Sequence, residues 1–176
     1  MKNTITYLQL NNQLKKLIGK PLWVTVAGKG TGSVLGLKFG KKLKRTRPVP
    51  NPRLSKTVRL YNGEFSMMIY CAWRIEKDSK IICGSMDSNE SGGLMVEGLK
   101  VLHNKRVRSV HVGKIPDLCI DFDGGLKLRL FCDTGTRGKK LYDVWYFLIM
   151  RLEKTVYSAR QNGKFYQETN YLLCRE

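Results

Sequence analysis

Apolar residues recur along this chain mainly at every second position, in short runs separated by Gly, Asn, Asp and Pro. That period belongs to strands with one face on a core, and the separating residues belong to turns. LWVTVA at 22–27 and SVLGLKF at 33–39 flank the glycine-rich GKGTGS and predict a hairpin. FSMMIYCAWRI at 65–75 predicts one long strand, with Asp78 and Ser79 turning the chain into KIICG. RVRSVHVG at 106–113 alternates strictly, which puts Val107, Ser109 and His111 on one face and Arg106, Arg108, Val110 and Val112 on the other. DLCIDF at 117–122 and LKLRLF at 126–131 flank Asp123, Gly124 and Gly125, and KTVYSAR and KFYQETN flank Gln161, Asn162 and Gly163. Both are hairpin signals. DVWYFLIM at 143–150 fits a buried strand or a buried helix.

Helical spacing is found in two places. Ile5, Leu8, Leu14, Leu17 and Ile18 predict a short amphipathic helix within 4–18, stopped by Gly19 with Pro21 beyond. LMVEGLKVL at 94–102 predicts a second, weakened by Gly98. Residues 85–93 are a polar loop. A basic loop at about 40–57 contains Pro48, Pro50 and Pro52, which lack donors and bias their predecessors away from helix, so it is expected to be extended. No internal repeat and no domain boundary are legible. The expectation is a single domain over 1–176 of the α+β class, mostly β: an antiparallel meander of sequential hairpins with one or two packed helices.

Charge adds what the pattern does not. Lys plus Arg number 32 against 14 Asp plus Glu, a formal net charge of +18. Residues 1–63 contain 14 Lys or Arg and no acid; Glu64 is the first carboxylate. Such asymmetry points to an anionic partner, because self-repulsion at this charge costs stability. Five cysteines, Cys71, Cys83, Cys119, Cys132 and Cys174, form no CxxC pair and sit mostly in apolar runs, which suits buried thiols in a reducing compartment. The start lacks the apolar stretch of a signal peptide, and VWYFLIM is too short to span a bilayer. A cytoplasmic protein with no membrane span is expected.

GKGTGS suggests a phosphate loop, but no stretch fits that pattern: at Gly40–Lys41, Lys42 stands where Ser or Thr should follow and Leu35 where the first Gly should be, and the dinucleotide fingerprint from Gly30 and Gly32 fails because Gly36 comes one place late. Asp117, Asp121 and Asp123 share one strand face and offer carboxylates for a Mg²⁺-dependent nuclease, but no Asp/Glu-x-Lys follows. His103 and His111 have no partner at a recognisable spacing and sit in no zinc pattern. No catalytic residue, metal or other cofactor is implied.

The basic stretch carries the functional expectation. Lys38, Lys41, Lys42, Lys44, Arg45, Arg47, Arg53, Lys56 and Arg59 occur without one acid among them. Such residues neutralise phosphates and release counterions, and arginine adds bidentate contacts. The first expectation is therefore a non-enzymatic protein contacting nucleic acid, DNA or RNA, through its basic N-terminal third. An acidic protein partner is the alternative, and a nuclease using the aspartates a further one.

Trp73–Arg74–Ile75, then Ile82–Cys83–Gly84–Ser85 with a Gly- and Ser-containing loop, and Asp117–Leu118 leading through Ile120 and Phe122 to a Gly turn and Leu128 to Phe131, resemble small uncharacterised bacterial β-rich domains. Leu17–Ile18–Gly19–Lys20–Pro21–Leu22 fits the same resemblance. It implies a compact β-rich bacterial domain, associated with defence or toxin–immunity systems, and transfers no catalytic residue.

Overall fold

The computed structural model describes residues 2–132, 143–149, 155–160 and 163–169. β1 (Lys2–Ile5) leads into α1 (Tyr7–Leu14), extended by a 3-10 turn at Lys15–Leu17. Next come β2 (Leu22–Val26), β3 (Leu35–Lys44), α2 (Lys56–Leu60), β4 (Tyr61–Ile69), β5 (Ala72–Lys77) and β6 (Lys80–Gly84). Then follow α3 (Leu94–Leu99) with a 3-10 turn at Lys100–Leu102, β7 (Val107–Val112), β8 (Leu118–Phe122), β9 (Leu126–Phe131), β10 (Asp143–Ile149), β11 (Thr155–Arg160) and β12 (Phe165–Thr169). The chain is mostly β and its strands pair antiparallel, as expected. They divide between two sheets, in the orders β1-β12-β11-β10-β4-β3-β2 and β6-β5-β9-β8-β7.

Local chemistry explains where elements differ from the sequence pattern. The first helix begins only at Tyr7, because Thr6 and Gln9 form a capping box: the Thr6 hydroxyl accepts from the Gln9 amide at 3.2 Å, and the Gln9 side chain accepts from the Thr6 amide at 2.8 Å. Leu10, Leu14 and Leu17 are buried, whereas Leu8 and Ile18 are exposed. Buried Asn11 pairs with both backbone groups of Val112, donating to its carbonyl at 2.8 Å and accepting from its amide at 2.9 Å, and so docks the helix on β7.

The long strand expected at 65–75 is two strands, because at Tyr70 and Cys71 the chain leaves one sheet for the other. Phe65, Met67, Ile69, Cys71, Trp73 and Ile75 are all buried, so the alternation runs through the crossing without a mark. On β7 the expected faces are wrong: a bulge between Val107 and Ser109 brings Val107, Val110 and Val112 to the core and leaves Arg108, Ser109 and His111 exposed. The 143–150 run is a strand over 143–149; Met150, Gln161, Asn162 and Cys174 lie outside the described residues. Cys71 and Cys83 are buried, and Cys119 and Cys132 are half-buried. Burial, with the charge of Asp87, pushes the Cys83 thiol up to about 12.

No repeat is legible in the sequence, yet the chain contains the same unit twice. α1, its 3-10 turn and β2 to β6 form the first; α3, its 3-10 turn and β7 to β11 form the second. In each the third strand crosses to the other sheet, β4 into β5 and β9 into β10. The helical segments end alike, at Gly19 (φ 79°) and Asn104 (φ 62°). The units join through reciprocal bonds: Gly19 N donates to Val107 O (2.8 Å) and Asn104 N to Leu22 O (2.7 Å), while Leu22 N donates to Lys105 O (2.8 Å) and Val107 N to Lys20 O (3.1 Å). Gly40 N donates to Pro21 O and Asp123 N to Arg106 O, both at 3.0 Å. β2 carries its bulge after Leu22 as β7 does after Val107. Trp73 Nε1 reaches across to Ser33 O at 2.8 Å, and Trp145 Nε1 reaches back to Pro116 O at 2.7 Å. Ser33 and Pro116 each stand two residues before the corresponding strands of the two units, β3 and β8.

Candidate nucleic-acid interface

The basic loop expected from residue 40 begins as strand. Gly40, at φ 74°, makes a bulge in β3, and the strand resumes with Lys42 opposite Gly63, Leu43 opposite Asn62 and Lys44 opposite Tyr61. β2 pairs with β3 only as far as Phe39, so Lys42–Lys44 and the start of β4 form a two-stranded ribbon beyond its end. Residues 45–55 and α2 close the ribbon. Ser55 caps α2 by accepting from Val58 N at 3.3 Å. Arg59 donates to the Val49 carbonyl at 3.0 Å and its own carbonyl accepts from Val49 N at 3.0 Å, while Arg45 N donates to Leu60 O at 2.9 Å. The prolines extend the segment locally, but these bonds fold it back on itself.

The nine expected contact residues divide into three groups. Lys38 points inward: it is 9 % exposed and donates from Nζ to the Tyr61 carbonyl at 3.2 Å. Burial, reinforced by the charge of Arg45, pushes its ammonium down to about 8. It is a structural lysine under the ribbon and presents no charge to a partner. Arg45 and Arg59 are half-buried and hold the arm's shape. Lys41, Lys42, Lys44, Arg47, Arg53 and Lys56 are exposed. Among the described residues none of these six side chains is in an ion pair, and Lys42 lies 5.3 Å from the centre of the Trp23 ring.

Among the described residues several carboxylates are engaged away from the arm. Glu76 accepts from Arg74 at 2.6 Å and Arg129 at 2.8 Å; burial opposes its ionisation, but those two hydrogen bonds win and hold it below the usual range. Glu97 pairs with Lys100 and Glu90 with Lys29. Asp117 accepts from Cys132 N, Asp121 from the Ser109 hydroxyl, and Asp123 from Arg106 N and Arg108. Leu118, Ile120 and Phe122 fill the buried face opposite these aspartates, as their alternation predicts. Among the described residues no group of three or more His, Cys, Asp or Glu is arranged to hold a metal ion. His103 is exposed and meets the Trp23 carbonyl at 2.9 Å.

Three residues outside the expected stretch belong to the site. A groove of about 450 Å³ at the base of the ribbon is lined by Lys20, Lys41, Glu64 and Arg106. Glu64 is 1 % exposed; Lys20 Nζ lies 3.2 Å from each of its oxygens, and Lys41 N donates to it at 3.2 Å. The Glu64 carboxylate is thereby neutralised inside, while Lys41 and Arg106 are exposed at the surface. The sequence signal for Glu64 was its place as the first acid after a long basic stretch. Arg106 arrives through the bridge between Pro21 and Arg106, a contact between the two units.

The buried lysine gives a pH prediction. Its folded pKa lies below its unfolded value, so the unfolded chain binds more protons between about 8 and 10.5, and this group adds stability as pH rises through that window. Below about 8 a charge remains buried. Lys38→Met is therefore expected to raise stability at pH 7 by ~1–3 kcal/mol, an advantage that shrinks toward pH 10. Urea melts of both proteins at several pH values check it. Taking their difference cancels the opposing alkaline effect of Cys83.

Comparison of the chain with protein-family models, curated proteins and solved structures finds no match.

Proposed function

We propose that this protein binds nucleic acid without catalysing a reaction, and that Lys41, Lys42, Lys44, Arg47, Arg53 and Lys56 meet the phosphates. The observation that carries the reading is six exposed cations on one ribbon and its closing loop, none ion-paired among the described residues. Cations gathered on one segment repel one another, and a polyanion offsets that cost. Each phosphate neutralised releases counterions, so affinity is sequence-independent and falls steeply with salt. Arg106, exposed at the rim of the groove, extends the positive surface from the arm's base.

Chemical acetylation of lysines, followed by mass spectrometry with and without an oligonucleotide at low salt, tests it. Lys41, Lys42, Lys44 and Lys56 are expected to be protected several-fold. Lys77, Lys80, Lys114 and Lys127, exposed on the five-stranded sheet and its turns, are expected to react unchanged. Protection spread evenly over both groups, or absent from the arm, refutes the assignment.

A further inference from the structure

We infer that residues 40–64 are an arm inserted into one hairpin of a duplicated fold, that the fold does not need it, and that the partner it grips is a nucleic-acid duplex. The last clause rests on the nucleic-acid reading above; the first two do not.

The second unit supplies the comparison. Phe122 and Phe39 occupy the same place, each opposite the first residue of the preceding strand: Phe39 faces Leu22 and Phe122 faces Val107. From Phe122 the chain returns to Leu126 through Asp123–Gly125 alone, with Gly124 and Gly125 at φ 76° and 73°. From Phe39 it returns to Phe65 through residues 40–64. The rest of the two hairpins runs in step: Leu37 faces Met67 and Leu35 faces Ile69, as Ile120 faces Leu128 and Leu118 faces Leu130. Three residues close this hairpin when closure is the only task.

Packing supports the same conclusion independently. No residue between Phe39 and Phe65 belongs to the hydrophobic core or to the partly buried residues packed on it. The one buried hydrophobic residue of the arm, Val58, stands outside the core cluster. Removing the arm uncovers Lys38, which relieves a buried charge, and the shorter loop costs less closure entropy.

Composition indicates the kind of nucleic acid. Sequence-independent single-strand binders combine a basic track with aromatic rings that stack on splayed bases. The arm has one aromatic residue, Tyr61, half-buried at its base opposite Lys44, and from residue 40 to residue 60 it has no Phe, Tyr or Trp. Its contact groups are point charges and guanidinium forks, which suit phosphates at fixed spacing, and a duplex offers about twice the charge per unit length of one strand. A two-stranded ribbon also has the width that a major groove admits.

The test uses the full chain and a chimera in which Asp-Gly-Gly joins Phe39 to Phe65. Circular dichroism follows folding, and fluorescence anisotropy follows binding to duplex DNA, duplex RNA, a single strand of equal length and poly-glutamate. The chimera is expected to fold with a cooperative melt and to lose at least about 100-fold in duplex affinity, and the wild type to prefer duplex over single strand by about tenfold or more at equal salt. An unfolded chimera overturns the claim that the fold does not need the arm. A folded chimera that binds like wild type overturns the arm as the binding element. A second variant, Lys44→Gln/Arg47→Gln/Arg53→Gln/Lys56→Gln, keeps the arm and reads binding alone, and undiminished duplex affinity there has the same consequence. A wild type that prefers single strands or poly-glutamate overturns the duplex assignment. A wild type that binds no nucleic acid removes the function proposed above, while the chimera's melt still decides the insertion.

Discussion

Replacing Lys41, Lys42, Lys44 and Arg47 together by glutamate is expected to reduce duplex affinity by roughly 100-fold or more at low salt, because each exchange removes one counterion-releasing contact and adds repulsion. The same four reversals at Lys77, Lys80, Lys114 and Lys127 produce an equal change in net charge. If the field of the whole molecule governed binding, the two variants would behave alike. If the arm is the contact surface, the second set is expected to cost less than about tenfold, since its charges act only across a screening length of about 8–10 Å. Anisotropy titrations at matched salt measure both. None of the eight side chains is buried and none is in an ion pair among the described residues, so folding should be little affected in either variant. Equal losses would locate the affinity in net charge rather than in the arm.

The largest stability effects are expected at the two tryptophans that tie the two sheets together, one within each unit. Trp73 is 2 % exposed and Trp145 fully buried, and each ring nitrogen donates to a carbonyl just ahead of a strand of the opposite sheet. Truncation to alanine removes a large buried ring, leaves a cavity and strands a carbonyl that had a partner. Each substitution is expected to cost about 3–5 kcal/mol, or roughly 10 °C in Tm for a domain of this size. Because the two residues hold matching places, the two costs should agree to within about 1 kcal/mol, within the usual context-dependent scatter for buried Trp and Phe truncations. Trp145→Phe keeps most of the volume and loses the hydrogen bond, at ~1–3 kcal/mol. Thermal and urea melts decide it. A loss below about 1 kcal/mol for either alanine variant would contradict the paired roles of the two rings.

Most elements could be read from the sequence because their signals are local. The alternation of Leu118, Ile120 and Phe122, the glycines after Asp123 and the stop at Gly19 each determine their own few residues. What was hidden depends on distant contacts. Tyr70 and Cys71 carry no mark of the crossing between sheets, since both sheets bury the same parity of residue and the pattern continues through it. The bulge after Val107 reverses the faces of β7 because one extra residue is accommodated without any special residue type. The duplication is masked in two ways. A strand core position accepts any apolar residue, so Leu37 and Ile120, or Phe65 and Leu126, need not match. The arm also changes the spacing, so that Leu17 and Leu102 lie farther apart in sequence than Phe65 and Leu126. For the site, the run of bases was visible, but its division was not. Lys38 alternates with Leu37 and Phe39 on a strand, and only the ribbon folding over it shows that it is inside. Lys20 and Arg106 join the site through the contact between units, which no local pattern announces.

The dependence of affinity on salt tests phosphate contact by the arm most directly. Duplex binding constants for wild type and for Lys41→Gln/Lys42→Gln/Lys44→Gln/Arg47→Gln, each measured across a salt series, give two straight lines of log K against log salt. Loss of four phosphate contacts predicts a variant line shallower by about 3 to 4, together with weaker binding at every low-salt point. Parallel lines, with the variant binding as tightly as wild type, would mean that these side chains meet no phosphate.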